Sequence, residues 1–432
     1  MNKTLALTLM AAASGACLAQ SATPNSVTLY GIVDVGIQRV TGYAKGTDTA
    51  LVSGIMEGSR FGLRGNEDLG GGWRALFTME HRAEVNSGSI SNRPASGSQV
   101  PDRLVDARLV IPALCPVATP SGANGLPTCP IQAAVSGVAA SVGSTLGVNL
   151  AGNFWDRQIY VGLVTPFGAV LAGRQYTPAY EMSATFDIMG TQSSLSAGQA
   201  ASIPSSIDIR LSNALQYRIV MGGLTASAMY AFGGVSGNNS ANRFGGVMAS
   251  YKMGDLMVGG AYNKRNNDLG LASLESTVLG ASYDFGAIGK ISGMVVKFQD
   301  DNPSGVSSIA AGLTPLVGAA GAALVQSAFT NALKQDAQSF HIGYKLTTGP
   351  NTFYVAYTGV NDKRPANADV ASYGVAYTYA LSKRTDLNAV ATHFNNKNLA
   401  QAAPGQAGFL GGVTKSAGTD SNSLAFGIRH RF

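Results

Sequence analysis

Apolar and polar residues alternate along most of this chain in stretches of about ten, each closed by residues that favour turns. Between Val27 and Ile37, the residues Val27, Leu29, Val33, Val35 and Ile37 fall on one face, while Asp34 and the following Gln38 fall on the other. Successive side chains of an extended strand point to opposite sides, so the pattern predicts a strand with one face suited to lipid and one suited to water. The connections are of two kinds. Seven are tight and rich in turn formers, at 69–72, 165–168, 221–223, 253–255, 286–289, 348–350 and 382–386. Eight are long and polar, at 40–56, 86–154, 177–207, 233–242, 266–274, 300–336, 361–369 and 396–420. The two kinds take turns, and fifteen connections join sixteen strands. The expected fold class is all-β, a sixteen-stranded antiparallel transmembrane β-barrel with short turns at one end and long loops at the other. Closure of such a sheet removes every unpaired edge. A water-soluble β-sandwich alternates too, but rarely sorts its connections so regularly.

No segment supplies the roughly twenty uninterrupted apolar residues that a spanning helix needs. Two charge-free tracts come nearest, 109–155 and 302–333. The first holds Pro112, Pro116, Pro120, Pro127 and Pro130, and the second holds Pro303 and Pro315 among many Gly and Ser, a density that would leave backbone groups unsatisfied in lipid. Both are expected within large extracellular loops, 86–154 and 300–336, with room for short helical pieces such as 318–332. At the start of the chain, Lys3, a largely apolar run from Leu5 to Ala13 and the small residues ending in Cys17-Leu18-Ala19 mark a secretory signal peptide cut after Ala19. The expected division is a signal peptide at 1–19 and a barrel domain at 20–432. Lipidation of Cys17 is the competing reading, weakened by Ser14 standing where such a signal usually has Leu.

Composition narrows the class further. Thirty basic and 24 acidic residues give a net charge of +6, lowered by one when Lys3 leaves with the signal peptide. So modest an excess gives no reason to expect a nucleic-acid partner. With 54 Gly, 12% charged and 8% aromatic residues, the chain is unlike a soluble enzyme. After export, Cys115 and Cys129 remain in an oxidising compartment and are expected to form one disulfide in a surface loop. Neither has metal-ligand spacing or a catalytic partner, and no cofactor is expected.

In the final stretch Leu424, Phe426, Ile428, His430 and Phe432 share a face opposite Arg429 and Arg431. A terminal Phe432 closing an alternating strand resembles the assembly signal read by the outer-membrane barrel-assembly machinery. Taken with 26–36 (SVTLYGIVDVG), 59–72 (SRFGLRGNEDLGGG), 157–163 (RQIYVGL), 167–176 (FGAVLAGRQY) and 427–432 (GIRHRF), the chain resembles the general diffusion porins of Gram-negative bacteria, β-proteobacterial and neisserial type. With the strand count these segments cover nearly all of the mature chain, and loops 86–154 and 300–336 depart from the pattern. The resemblance implies an integral, multi-pass β-barrel of the cell outer membrane, a homotrimer set among lipid and lipopolysaccharide. It further implies passive diffusion of ions and small hydrophilic solutes, with no enzymatic activity. The third long loop, 177–207, would fold inward to narrow the lumen.

In this family, acidic groups of the inserted loop oppose a cluster of Arg on the facing wall. A transverse field in a narrow aqueous pore, focused by low-dielectric walls, sorts solutes by charge, and Arg keeps its charge at any relevant pH. The resemblance assigns Arg60, Arg157 and Arg210 to the wall. Alternation also turns Arg60 inward, opposite Phe61 and Leu63, and Arg210 inward, opposite Leu211 and Leu215. Arg157 shares parity with Trp155, Ile159, Val161 and Leu163, which by alternation face lipid. The resemblance puts it inside instead, with Tyr160 and Gly162 turned to a neighbouring subunit. On the loop, Asp187 matches an acidic position, the second expected acid falls near Thr191 and is absent, and Glu181 near the loop base is a constriction residue or a tether. Three Arg against one firm acid imply a net-positive eyelet that prefers anions. Arg64, Arg74, Arg82 and Arg218 add cations at inward parity, partly offset by Asp34 and Glu80. The plain alternative is that these charges pair with one another and select nothing.

Three rival functions are weaker. A substrate-selective channel would need a binding ladder such as an aromatic slide, and no aromatic run in the lumen demands one. A barrel enzyme would need a nucleophile motif, and none of the four His, His81, His341, His393 and His430, sits in one. An adhesive barrel stays open because large exposed loops carry recognition.

Overall fold

The computed structural model describes residues 25–432 apart from 95, 97–99, 101–103, 105–110, 112–114, 116–128, 130, 145–147, 202–205 and 408–410. The expected signal peptide and Cys17 lie outside the described residues. The strands are β1 (Ser26–Tyr43), β2 (Gly46–Ser53), β3 (Arg60–Gly70), β4 (Trp73–Arg82), β5 (Gln158–Thr165), β6 (Gly168–Tyr176), β7 (Arg210–Met221), β8 (Leu224–Ala231) and β9 (Phe244–Met253). They continue as β10 (Leu256–Asn266), β11 (Ala272–Asp284), β12 (Lys290–Asp300), β13 (Gln335–Thr348), β14 (Asn351–Asp362), β15 (Val370–Ala380), β16 (Thr385–Asn396) and β17 (Ser421–Arg431). Among the described residues four α-helices lie in the loops: α1 (Gln132–Ser144), α2 (Pro178–Phe186), α3 (Ala197–Ala200) and α4 (Ile309–Leu333).

All strand pairs are antiparallel, and β1 pairs with β17, so the ladder closes on itself. At the seam, Gly31 and Phe432 exchange both backbone hydrogen bonds at 3.1 Å. The Phe432 ring covers Gly31, where an added Cβ would lie 2.3 Å from it.

The seventeen strands fill sixteen positions in the wall. The lower part of β1, 26–32, pairs with β3, while its upper part, 35–43, pairs with β2. Strands β2 and β3 are therefore one wall strand broken at 54–59. The break has a local cause on the inner face of β1. The Asp34 carboxylate accepts the N–H groups of Ile55 (2.9 Å), Met56 (2.9 Å) and Glu57 (2.8 Å), satisfying donors that have left the ladder. The connection expected to be long at 40–56 is thus a tight turn at 44–45, because 46–53 alternates and pairs as strand.

The outer face is apolar, with Val27 68% and Leu29 60% exposed, while Asp34 and Gln38 are buried inside. Exposed rings gather near the short turns, among them Phe167, Tyr251, Phe285 and Tyr344, and near the loops, among them Phe154, Tyr230 and Phe232. Two such girdles mark the levels where amphipathic rings meet the membrane interfaces.

The loop between β6 and β7 turns into the lumen. Thr177 caps α2 by accepting the Tyr180 N–H at 3.4 Å, and Pro178 fills the first helical turn, where no N–H is needed. The helix lies along the inner surface of β9 to β12. Phe186 is fully buried over Gly280 of β11, where a Cβ would stand 2.2 Å from the ring, so the wall has no side chain at the point where the loop docks. Ser292 donates to the Phe186 carbonyl at 2.7 Å, and Asn263 accepts the Ala179 N–H at 3.1 Å.

In the loop between β12 and β13, α4 comes nearest to a spanning helix. Its 25 residues make it, among the described residues, the one helix long and apolar enough to cross a membrane. It does not run straight. Gly318 leaves helical geometry (φ 72°, ψ 165°), and the Ala310 N–H donates to Gln326 Oε1 at 2.8 Å. A straight helix would hold those two positions about 24 Å apart. The segment is a hairpin of two arms, each too short to span. Val135, Val138 and Ala139 of α1 pack in one apolar cluster with Leu313, Ala322, Val325 and Phe329 of α4. Cys115 belongs to this cluster and is bonded to Cys129, with Cα atoms 4.9 Å apart.

Candidate pore constriction

Alternation along β3 and β4 sends Arg60 and Glu80 inward. Glu80 is the hub of the constriction. Its carboxylate accepts Arg157 Nε at 2.6 Å and the Tyr30 hydroxyl at 3.2 Å, and lies 3.4 Å from Arg60 Nε. Tyr176, the last residue of β6, joins the remaining cation. Its hydroxyl oxygen accepts Arg157 Nη2 at 3.1 Å and Arg210 Nη2 at 2.9 Å, and the Arg210 guanidinium sits 4.5 Å above its ring. Tyr180 of α2 stacks on Tyr176 with centroids 5.0 Å apart, so the inserted loop touches the basic wall directly.

Glu57 lies 3.7 Å from Arg60 and is shared with Arg429 (3.6 Å) and Arg431 (3.9 Å), which both pair with Asp386. Five guanidiniums thus meet three carboxylates. Arg64, 5.3 Å from the Tyr30 ring centroid, and the buried Asp34 add one charge of each sign, leaving the excess of two unchanged. The members differ in access. Arg60 is 7% and Arg157 3% exposed, while Arg210 is half-buried, so of the three wall Arg it is Arg210 that is most open to a passing solute.

The three wall Arg therefore stand together, but not all for the expected reasons. Arg157 precedes β5, whose first paired residue, Gln158, faces Glu80. Alternation applies only within the ladder, and outside it the Arg157 side chain swings to Glu80. Within β5 it is Ile159, Val161 and Leu163 that face outward. Tyr160 and Gly162, expected to face a neighbouring subunit, point inward, Tyr160 packing with Leu76, Ala169 and Leu171.

On the loop, the assignment of Asp187 is corrected, and Glu181 takes the tether reading of its two. Asp187 does not face the wall Arg across water. It is buried, and its carboxylate accepts the N–H groups of Met189 (2.8 Å), Thr191 (3.1 Å) and Ala197 (2.9 Å), with His341 Nε2 at 3.5 Å. Burial pushes this carboxyl above its usual range, while His341 and the backbone donors pull it back. Its work is to hold the loop's own turn. Glu181 pairs with Arg218 at 2.7 Å, tethering α2 to β7. Arg82 is likewise engaged locally, with Asp156 at 3.1 Å and Glu84 at 3.4 Å. Alternation pointed to Glu80 only as an offsetting charge, and nothing in the pattern singled out Tyr176, whose role depends on where α2 comes to rest. Among the described residues no group of three or more His, Cys, Asp or Glu could hold a metal ion.

A closed membrane barrel narrowed by an inserted loop that faces a charged wall is a channel of the porin class. Residues 6–399 match the family described as Gram-negative porin, and the chain belongs to that family. It is 27% identical to outer membrane porin protein 32 of Delftia acidovorans, over all of both chains. Among solved structures it is similar to an anion-selective porin from Comamonas acidovorans, with a TM-score of 0.66 and 24% identity over 94% of this chain and 100% of that one. The outer-membrane OmpT of Vibrio cholerae has the same fold, with a TM-score of 0.55 and 13% identity over 96% and 99% of the two chains. The protein is thus an integral outer-membrane β-barrel of β-proteobacterial porin type, a channel for passive diffusion and not an enzyme.

Proposed function

We propose that this porin is a homotrimer of general diffusion channels for small hydrophilic solutes and ions, each channel preferring anions. The observation that carries the selectivity is the grouping of Arg60 and Arg157 on Glu80 and of Arg210 on the adjoining Tyr176, with Glu57 shared among Arg60, Arg429 and Arg431 and both loop acids engaged elsewhere. A fixed positive excess in a narrow lumen raises the local concentration of anions and lowers that of cations. The Comamonas porin of similar fold is itself described as anion-selective. The trimer is supported by a Vibrio cholerae OmpT of the same fold described in a trimer form. The same reading places the outer girdle against lipopolysaccharide and assigns the β17 strand ending in Phe432 to the barrel-assembly machinery.

Purified protein in a planar bilayer across a KCl gradient should pass chloride over potassium, and molar salt should weaken the preference as the Debye length falls to about 3 Å. Arg60→Gln combined with Arg210→Gln removes the local excess and should move the reversal potential toward potassium. A double variant that conducts with wild-type selectivity would show that the cluster does not govern permeation. A single-barrel mass in mild detergent would overturn the trimer.

A further inference from the structure

Helix α1 belongs to the loop between β4 and β5, and α4 to the loop between β12 and β13. Counting β2 and β3 as one position, β4 and β5 are third and fourth in the wall, and β12 and β13 are eleventh and twelfth. The two loops are rooted eight positions apart in a ring of sixteen, on opposite sides of the same mouth. Their side chains nevertheless meet, with Val135 of α1 and Ala322, Val325 and Phe329 of α4 wholly shielded from water in one cluster.

Distance fixes where that meeting takes place. Sixteen strands about 4.8 Å apart and tilted about 40° enclose a ring roughly 32 Å across. The longer arm of the α4 hairpin, 319–333, reaches about 22 Å. Segments rooted on opposite walls and of that reach meet over the opening. Both ends are anchored. Arg364, paired with Asp362 at 2.7 Å, donates to the carbonyls of Ala332, at 3.3 Å, and Lys334. Ser307 donates to Asp268 at 2.6 Å. On the other side Asn92 and Val148 exchange backbone hydrogen bonds at 3.1 and 2.9 Å across the base of the loop, and the disulfide joins Cys115 to Cys129.

The strap has no charge to sort with, since neither α1 nor α4 contains Asp, Glu, Lys or Arg. A helix with its side chains is about 10 Å wide and the α4 hairpin lays two side by side, so the strap covers about 20 Å of the roughly 32 Å mouth and leaves openings at its flanks. We propose that the packed pair α1 and α4 is an outer size filter, a strap across the extracellular mouth that turns away bulky solutes before the basic constriction sorts the remainder by charge. The proposal rests on the protein being a channel and not on its preference for anions.

A sieve at one mouth makes size exclusion depend on the side from which a solute arrives. Channels inserted in one orientation in a planar bilayer would be exposed to neutral poly(ethylene glycol) of graded mass on one side at a time, with block of the current as the readout. Polymers of intermediate mass should enter the wild-type channel from the periplasmic side and be excluded from the extracellular side. Replacing 305–333 by a short Gly-Ser turn should erase that asymmetry, raise the outer cut-off to the inner one and leave the reversal potential in KCl unchanged. Val325→Asn combined with Phe329→Asn keeps the chain length, unseats the helices without adding charge and should act in the same direction; it decides the matter if the shortened chain does not assemble. Equal cut-offs from both sides in the wild type would overturn the proposal. So would asymmetry that persists in an assembled variant, or a reversal potential that moves with the cut-off.

Discussion

At the constriction, exposure separates the three wall cations into two roles. Arg157 is nearly covered and makes the shortest contact to a buried Glu80, so its replacement leaves a desolvated carboxylate without its best partner. Breaking such a pair from one side costs about 3–5 kcal/mol. Arg157→Gln should lower the temperature at which the folded band converts to the unfolded one on an SDS gel. Arg210 is half-open and its neighbours keep other partners, so Arg210→Gln should shift the reversal potential with little change in that temperature. Equal thermal shifts in the two variants would remove the distinction. Alternation was enough to turn Arg60 inward, because it is counted within an unbroken stretch of β3, whereas the β6–β7 ladder shifts register between Ala214 and Leu211 and interrupts the count before Arg210. Arg157 was not legible that way, since it stands one residue before the ladder begins. Asp187 was less legible still. Whether a loop carboxylate meets water or the N–H groups of its own turn is decided by the fold of the loop, and here Met189, Thr191 and Ala197 supply the donors.

Among the elements, the broken strand formed by β2 and β3 is maintained by one side chain. Asp34→Ala would leave the N–H groups of Ile55, Met56 and Glu57 without their acceptor, while the pairing of β1 with β17 makes no use of that carboxylate. Hydrogen exchange should therefore speed up at 55–57 and stay slow at the seam around Val35 and Ile37; slow exchange at both sites would show that other groups hold the break. The strands and short turns were legible because a period of two and Gly-rich punctuation are local signals. The break was not, since Ile55, Met56 and Glu57 find their acceptor 21 to 23 positions earlier, on a different strand. Nor was the hairpin in α4, whose arms on either side of Gly318 share one apolar cluster with α1, almost two hundred residues away in sequence and rooted across the mouth.

For the molecule as a whole, the strap has a mechanical meaning apart from sieving. A closed ring of strands is a hoop, and the softest deformation of a hoop is ovalisation, lengthening along one diameter while shortening along the perpendicular one. The contact between α1 and α4 lies along a diameter and acts as a spoke, opposing any lengthening in its own direction and leaving the perpendicular direction free. Lower in the lumen, α2 and α3 lie flat against β9 to β12 and against β14 and β15, stiffening one arc of the wall without crossing it. The outer rim is therefore stiffer along one axis than along the other. Cutting the spoke releases the breathing mode it restrained, and slow fluctuations of the open-channel current should grow under constant voltage even for ions far too small to be sieved.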